Sequence, residues 1–253
     1  MLATELPDCR VDVAAVGGAG ELAAVLAQHG VALFDGLRSE QQLMQLATRL
    51  GRIVPHRDSN PAGITVLADR GGVRPRPGEA GFSRQPLAPH TDCSDRAVPP
   101  LLVMAVCVRP AERGGNYVLV DGQAVHAELA TTAPDALADL STRRGAYFGG
   151  AAGLVGNVFE PGPDQLVGLR LRRDELAGFA PHTQRRLSVL DQVIRRHAVS
   201  IPATAGGGYV VNNRRWLHGR TAFTGRRTVY RIHLDPHLGW RIPAGFTHSR
   251  AAP

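Results

Sequence analysis

The chain has 253 residues, 43% of them hydrophobic, enough to bury a sizeable core, and no apolar run approaches the roughly 20 residues of a membrane helix. All 29 basic residues are arginine, giving a net charge of +7 together with a composition rich in Ala, Gly and Pro, the coding bias of a GC-rich genome. Those arginines are dispersed along the chain and not gathered in a stripe with aromatic residues, which argues against a nucleic-acid partner.

Taken in chain order, "GELAAVLAQH" (20–29) has helical spacing, and "GVALFDG" (30–36) is a short apolar strand between glycines. "SEQQLMQLATRLG" (39–51) opens on Ser39, sets Leu43, Leu46 and Leu50 on one face and stops at Gly51, the pattern of a capped amphipathic helix. "ITVLAD" reads as a strand. From Asp69 to Pro89 glycine and proline are dense, which predicts a long loop, and long loops in compact domains are often lids over active sites. "PPLLVMAVCVRP" (99–110) reads as a buried strand and "GGNYVLVDG" (114–122) as a turn, a strand and a turn. "GQAVHAELATTAPDALADL" predicts two helices divided near Pro134, and 181–197 predicts one helix. Three strands follow, in "AVSIPA", "GGYVVNN" and "RTVYRIHLD". No repeat or linker divides the chain, so one domain over 1–253 is expected, with a lid at 69–89. Helices first and short strands after them suggest a β-rich α+β fold, a mostly antiparallel double sheet with helices outside.

The opening "MLATELPDCR" lacks the basic-then-apolar order of a secretory leader, and Cys9, Cys93 and Cys107 have no metal-type pair spacing. A reduced, cytoplasmic protein is expected.

The chemistry concentrates in two places. In "APHTDCSD", His90 and Asp92 are one residue apart; at a strand end they point to the same side, with Thr91 opposite. An imidazole and a carboxylate so placed can take two adjacent positions on a metal ion, and a second histidine would complete the facial arrangement of non-haem Fe(II) oxygenases. Far along the chain, "NNRRWLHGRTAFTGRRTVYRIHLD" carries His218 after a strand and Arg227 and Arg231 on the next one. Two arginines on one face of an otherwise apolar strand are costly unless they meet anions, either carboxylates of the fold or of a ligand.

The segments "HTDCSDRAVPP", "RPAERGGNYVLVDG" and "NNRRWLHGRTAFTGRRTVYR", with "HGVALFDGL…LATRLGRIVPHR" before them, together resemble the taurine dioxygenase / clavaminate synthase superfamily of Fe(II)- and 2-oxoglutarate-dependent oxygenases. The resemblance implies a double-stranded β-helix (jelly roll) flanked by helices, Fe(II) as cofactor, and 2-oxoglutarate and O2 as cosubstrates. It implies that His90, Asp92 and His218 are the iron ligands, that Arg227 grips the distal carboxylate of 2-oxoglutarate, and that Arg231 holds an acidic group of the substrate. The loop from His218 to Arg227 is shorter than is usual in that family, which leaves Arg231 as the alternative cosubstrate anchor. Where the family has a threonine two residues after the "GG" turn, this chain has Tyr117, which either contacts 2-oxoglutarate from another angle or fills that space. His56, Ser83 and Gln85 are candidate substrate contacts. Asn213 is expected to satisfy backbone groups before His218, Cys93 to be a packing residue, and His126, His182, His197 and His233 to be ordinary, although His233 shares strand parity with Arg231.

The implied reaction is hydroxylation of a small anionic molecule such as an amino acid or derivative, in bacterial specialised metabolism, with no membrane or nucleic-acid partner. Desaturation, cyclisation and epimerisation use the same cofactors. Halogenation is disfavoured because Asp92 is present. A zinc hydrolase built on the same three residues and a non-catalytic jelly-roll binding protein are the rival classes.

Overall fold

The structure is a computed structural model that describes residues 6–13, 17–37, 39–71, 76–150 and 153–247. Strands and helices are numbered in chain order. The larger sheet runs β1 (Arg10–Val11), β2 (Val31–Phe34), β15 (Gly208–Asn212), β6 (Leu102–Arg109), β18 (Thr228–Pro236), β3 (Gly51–Ile53), with β4 (Thr65–Ala68) also paired to β18. A second sheet runs β14 (Val199–Ile201), β8 (Tyr117–Asp121), β16 (Trp216–Arg220), β5 (Leu87–His90). In these two sheets every pairing is antiparallel except β1 with β2.

Alternation along the strands builds the layers. On β6, Leu102, Met104 and Val106 pack toward helices α1 (Gly18–His29) and α2 (Glu40–Leu50). Val103, Ala105 and Cys107 turn the other way, into an interior shared with Tyr117 and Leu119 of β8 and Trp216 of β16. The outer face of the second sheet, with Val120 and Leu217, is covered by α3 (Gly122–Thr132), α4 (Pro134–Ser141) and α6 (Leu187–His197). The order is therefore helices, sheet, shared interior, sheet, helices. Val229 of β18 belongs to the shared interior, so Arg231 and His233, at the same parity, face it too.

Helix α2 forms as its spacing predicts: Ser39 Oγ accepts a hydrogen bond from Gln42 N at 3.1 Å, and Leu43, Leu46 and Leu50 are buried. The division near Pro134 is present, between α3 and α4. The single helix expected over 181–197 is instead two, α5 (Pro181–Gln184) and α6, parted where Arg186 Nε reaches across to Asp139 at 2.7 Å. Residues 143–180, in which the sequence shows no period, hold β9 (Ala146–Phe148), β10 (Leu154–Gly156), β11 (Phe159–Pro161), β12 (Leu166–Leu169) and β13 (Ala177–Phe179). β9, β10 and β13 form a small sheet, and β11 and β12 form another with β19 (Phe246–Thr247). Strands of three or four residues, several containing glycine, carry too few side chains to display alternation. β7 (Arg113–Gly114) and β17 (Phe223–Thr224) pair as a separate two-stranded antiparallel ribbon.

Of the stretch 69–89, the last three residues belong to β5 and the remainder is irregular apart from one turn of 3-10 helix at Ala80–Phe82; residues 72–75 lie outside the described residues. Among the described residues, no helix is long and apolar enough to cross a membrane.

Candidate metal centre

β5 and β16 are neighbours, and their register makes His90 and His218 direct cross-strand partners, with ring centroids 4.6 Å apart. β5 ends at His90, so Asp92 is not on the strand. It is brought round by a turn in which Thr91 faces away, its N–H donating to Leu171 O at 2.9 Å and its hydroxyl accepting from Leu171 N at 3.0 Å. Cys93 then takes a left-handed conformation at φ 54°. Asn213 clamps the turn: its Oδ1 accepts from Asp92 N at 2.8 Å, while its Nδ2 donates to Asp92 O at 2.9 Å and to Pro100 O at 3.1 Å. Arg170 braces the next residues by donating to Ser94 O at 2.6 Å and Arg96 O at 2.7 Å.

Ligand atoms of His90, Asp92 and His218 all lie within 4.8 Å of one another. Asp92 Oδ1 is 3.4 Å from His90 Nε2, and its Oδ2 is 3.6 Å from His218 Nε2. The donor set fits a metal ion. His90 Nδ1 lies 2.9 Å from Ala88 O, which assigns its proton there and leaves the Nε2 lone pair toward Asp92. Both ring nitrogens of His218 are buried without a hydrogen-bond partner, a costly state that a metal bond would relieve at one of them. Burial lowers the His218 pKa to about 4 against the pull of Asp92, so the ring is neutral and ready to coordinate at neutral pH.

Asp92 is also gripped from the other sheet. Arg231 Nη1 lies 3.0 Å from Oδ2, and His233 Nε2 lies 2.8 Å from the same oxygen. Burial would raise the Asp92 carboxyl, but Arg231, His218 and His233 hold it well below the usual carboxylate range. His233, read from the sequence as ordinary, is therefore part of the centre; its parity with Arg231 was the available signal.

A cavity of about 390 Å³ opens beside the three residues, lined among others by His56, Leu67, Phe82, Arg96, Arg172 and Arg231. His56 stands on its wall, with its pKa lowered to about 4 by burial and then by Arg231 and His233. Ser83 and Gln85, expected as substrate contacts, are outside that lining. Their backbone carbonyls face Arg220, and Ser83 Oγ donates to Ala80 O at 2.9 Å. The Ser83 side chain thus serves its own turn, as polar side chains in turns commonly do.

Arg231 lies on β18, whereas Arg227, expected on the same strand, falls one residue before its start, and the two serve different places. Arg227 is buried at 5% exposure, its Nε donates to Gly115 O at 3.0 Å, and it forms no ion pair among the described residues. Its stem lies against Gly115, where a Cβ would come within 2.9 Å of Arg227 Cδ and φ is 72°, so the "GG" turn is shaped to admit it. The Tyr117 ring stands 5.6 Å from the Arg227 guanidinium, and its hydroxyl donates to Gly207 O at 3.4 Å.

Comparison with family models matches residues 6–186 to "Taurine catabolism dioxygenase TauD, TfdA family". The chain belongs to the TauD/TfdA family. It is an oxidoreductase of the dioxygenase class, with Fe(II) as cofactor and 2-oxoglutarate and O2 as cosubstrates. The matched span of this TauD/TfdA dioxygenase includes His90 and Asp92 and ends before His218, which reaches the centre through the pairing of β5 with β16. A search of curated sequences found no match. Among solved structures, the chain is similar to the non-haem iron oxygenase OrfP in complex with Fe, succinate and (3R,4R)-dihydroxy-L-Arg (13% identity, TM-score 0.65, 87% of this chain and 81% of that one). It is similar to an asparagine oxygenase in complex with Fe(II), 2S,3S-3-hydroxyasparagine and succinate (16%, 0.67, 85% and 79%). It is also similar to PvcB from Pseudomonas aeruginosa (18%, 0.65, 85% and 79%). At these identities the likeness establishes the fold.

Proposed function

We propose that this dioxygenase hydroxylates a small anionic substrate, an amino acid or a derivative of one. The two facing sheets are then the two halves of a double-stranded β-helix with the metal at one end of the interior. The observation that carries the reading is the convergence of His90, Asp92 and His218 beside a cavity, with a buried arginine, Arg227, that has no carboxylate partner among the described residues.

His90, Asp92 and His218 would hold Fe(II) on one face. Arg227 would take the distal carboxylate of 2-oxoglutarate through a charge-assisted fork, with the Tyr117 ring walling that space. Once bound, the iron and 2-oxoglutarate supply the oxidising chemistry, consuming dioxygen and releasing succinate and carbon dioxide. Arg231 orients Asp92 with one edge. Its Nε is buried without a partner, which supports a second duty toward an acidic group of the substrate. Leu67, Phe82 and Leu87 line the cavity with apolar surface that keeps water from the bound substrate. The hydroxylated arginine bound to OrfP and the hydroxyasparagine bound to the asparagine oxygenase support an amino acid as the substrate class.

The test is anaerobic addition of Fe(II) and then 2-oxoglutarate to the purified protein. A weak visible charge-transfer band is expected, and His218→Ala should abolish it; no band from intact wild-type protein would sink the reading. Succinate release screened over free amino acids and related acids then identifies the substrate.

A further inference from the structure

A second buried arginine stands close to the first. Arg220 lies on β16 two residues after His218, is 6% exposed, and forms no ion pair among the described residues. Its guanidinium donates instead to three backbone carbonyls of the loop over the cavity: Gly81 O at 3.2 Å, Ser83 O at 2.7 Å, and Gln85 O. Phe223 N donates to Arg84 O at 3.1 Å, so the same loop is fastened at a fourth point by the first residue of β17. The loop's other attachments include an ion pair, Arg84 to Asp69 at 2.6 Å, a backbone bond from Arg70 N to Phe82 O at 2.9 Å, and the Arg70 guanidinium 3.5 Å from the Phe82 ring centroid. Gly81 and Phe82 line the cavity, so these fastenings set the position of its roof.

The Phe223 ring links Arg220 to the proposed cosubstrate site. The Arg220 guanidinium lies 4.8 Å from its centroid and the Arg227 guanidinium 5.8 Å. Two buried cations share one aromatic ring, and neither has a carboxylate partner among the described residues. Two like charges in that setting repel, and each is costly to bury alone. A carboxylate arriving at Arg227 would remove much of that cost for both.

We propose that Arg220 is a positioning residue that couples cosubstrate binding to closure of the lid: the 2-oxoglutarate carboxylate at Arg227 stabilises the buried Arg220 that holds the loop 81–85 down. The roof then settles once the cosubstrate is present, before dioxygen is used. The inference rests on the assignment of Arg227 as the cosubstrate arginine. By linkage, 2-oxoglutarate must bind the closed arrangement more tightly than the open one by the same factor that it favours closure.

Hydrogen exchange read by mass spectrometry on peptides covering residues 79–87 tests this, with the full chain, Mn(II) in place of Fe(II), and 2-oxoglutarate as the only added ligand. In the wild type, 2-oxoglutarate should slow exchange in those peptides by roughly fivefold or more, the low end of ordinary coupling between sites. Arg220→Met should abolish that response and weaken 2-oxoglutarate binding. Phe223→Leu, which leaves the three carbonyl bonds in place, should keep the protection seen without ligand and diminish the response, and it serves if Arg220→Met does not fold. Wild-type protein that forms the charge-transfer band with Fe(II) and 2-oxoglutarate but gives no lid response overturns the coupling and leaves the functional reading standing. A response that persists in Arg220→Met, or that is undiminished in Phe223→Leu, also overturns it. Absence of the band overturns both.

Discussion

His233 Nε2 lies 2.8 Å from Asp92 Oδ2, a hydrogen bond from the larger sheet to a residue held on the edge of the smaller one. Asp92 is thus fixed by its side chain from β18 and by its backbone through Asn213. A metal-binding carboxylate held in this way has its free rotation removed before the ion arrives.

Removing that hydrogen bond should therefore weaken the metal. His233→Ala is expected to lower Co(II) affinity by roughly 10–100-fold, the usual effect of deleting a partner of a metal ligand. His233→Gln, which can still donate, should lose less. Titration followed by the Co(II) absorption bands measures both, and equal affinity in His233→Ala and wild type would show that Arg231 alone orients the carboxylate.

Arg227 and Arg231 are separable by ligand. Arg227→Ala should weaken 2-oxoglutarate by about 10–100-fold, the equivalent of about 1.5–3 kcal/mol for a hydrogen-bonded charge, with metal affinity little changed. Arg231→Ala should weaken the metal and the substrate instead, because its guanidinium lies against Asp92. Calorimetric titration of 2-oxoglutarate into the Mn(II) protein decides between them; the reverse pattern would make Arg231 the cosubstrate anchor.

Asn213→Ala leaves the buried Asp92 N–H without its acceptor and two carbonyls without their donor. An unsatisfied buried group costs about 1–3 kcal/mol, and each kcal/mol moves the melting temperature of a chain this long by roughly 2–4 °C. A fall of several degrees in the melting temperature of the metal-free protein is expected by calorimetry; no fall would show that the turn relaxes to let in water.

Acid should loosen the brace behind the metal turn. Burial works to raise the Glu160 carboxyl, but its hydrogen bond to Arg170 and the charges of Arg214 and Arg170 outweigh that and lower it below the ordinary glutamate value. A carboxyl lowered by folding contributes stability that is present above its unfolded pKa and is lost as pH falls through the folded value. Stability should therefore decline as pH drops below about 4.5, and Glu160→Gln should flatten that acid limb. Urea unfolding across pH 3–6 checks it; parallel wild-type and variant curves would assign the acid limb to other groups.

How much could be read in advance differed by element. Helix α2 was legible because its cap and its apolar face are local, and β6 because a long apolar run between prolines has few other uses. The strands of 143–180 were not, since their short, Gly-containing pieces owe their pairing to what lies across from them. In the centre, His90, Asp92 and His218 stood out by residue type and motif. At Ser83, polarity alone does not tell a side chain facing a ligand from one serving its own turn, and the structure shows the second contact.

By itself, then, the sequence determined which donors are available and roughly which strands carry them, since hydrophobic alternation and motif spacing are properties of neighbouring residues. Only the tertiary structure decided that His90 sits directly across from His218, that His233 and Arg231 of another sheet close on Asp92, and that Arg220 reaches the lid while Arg227 does not. Those are distances between residues more than a hundred positions apart. They follow from strand register, and register is set by how whole faces pack against one another.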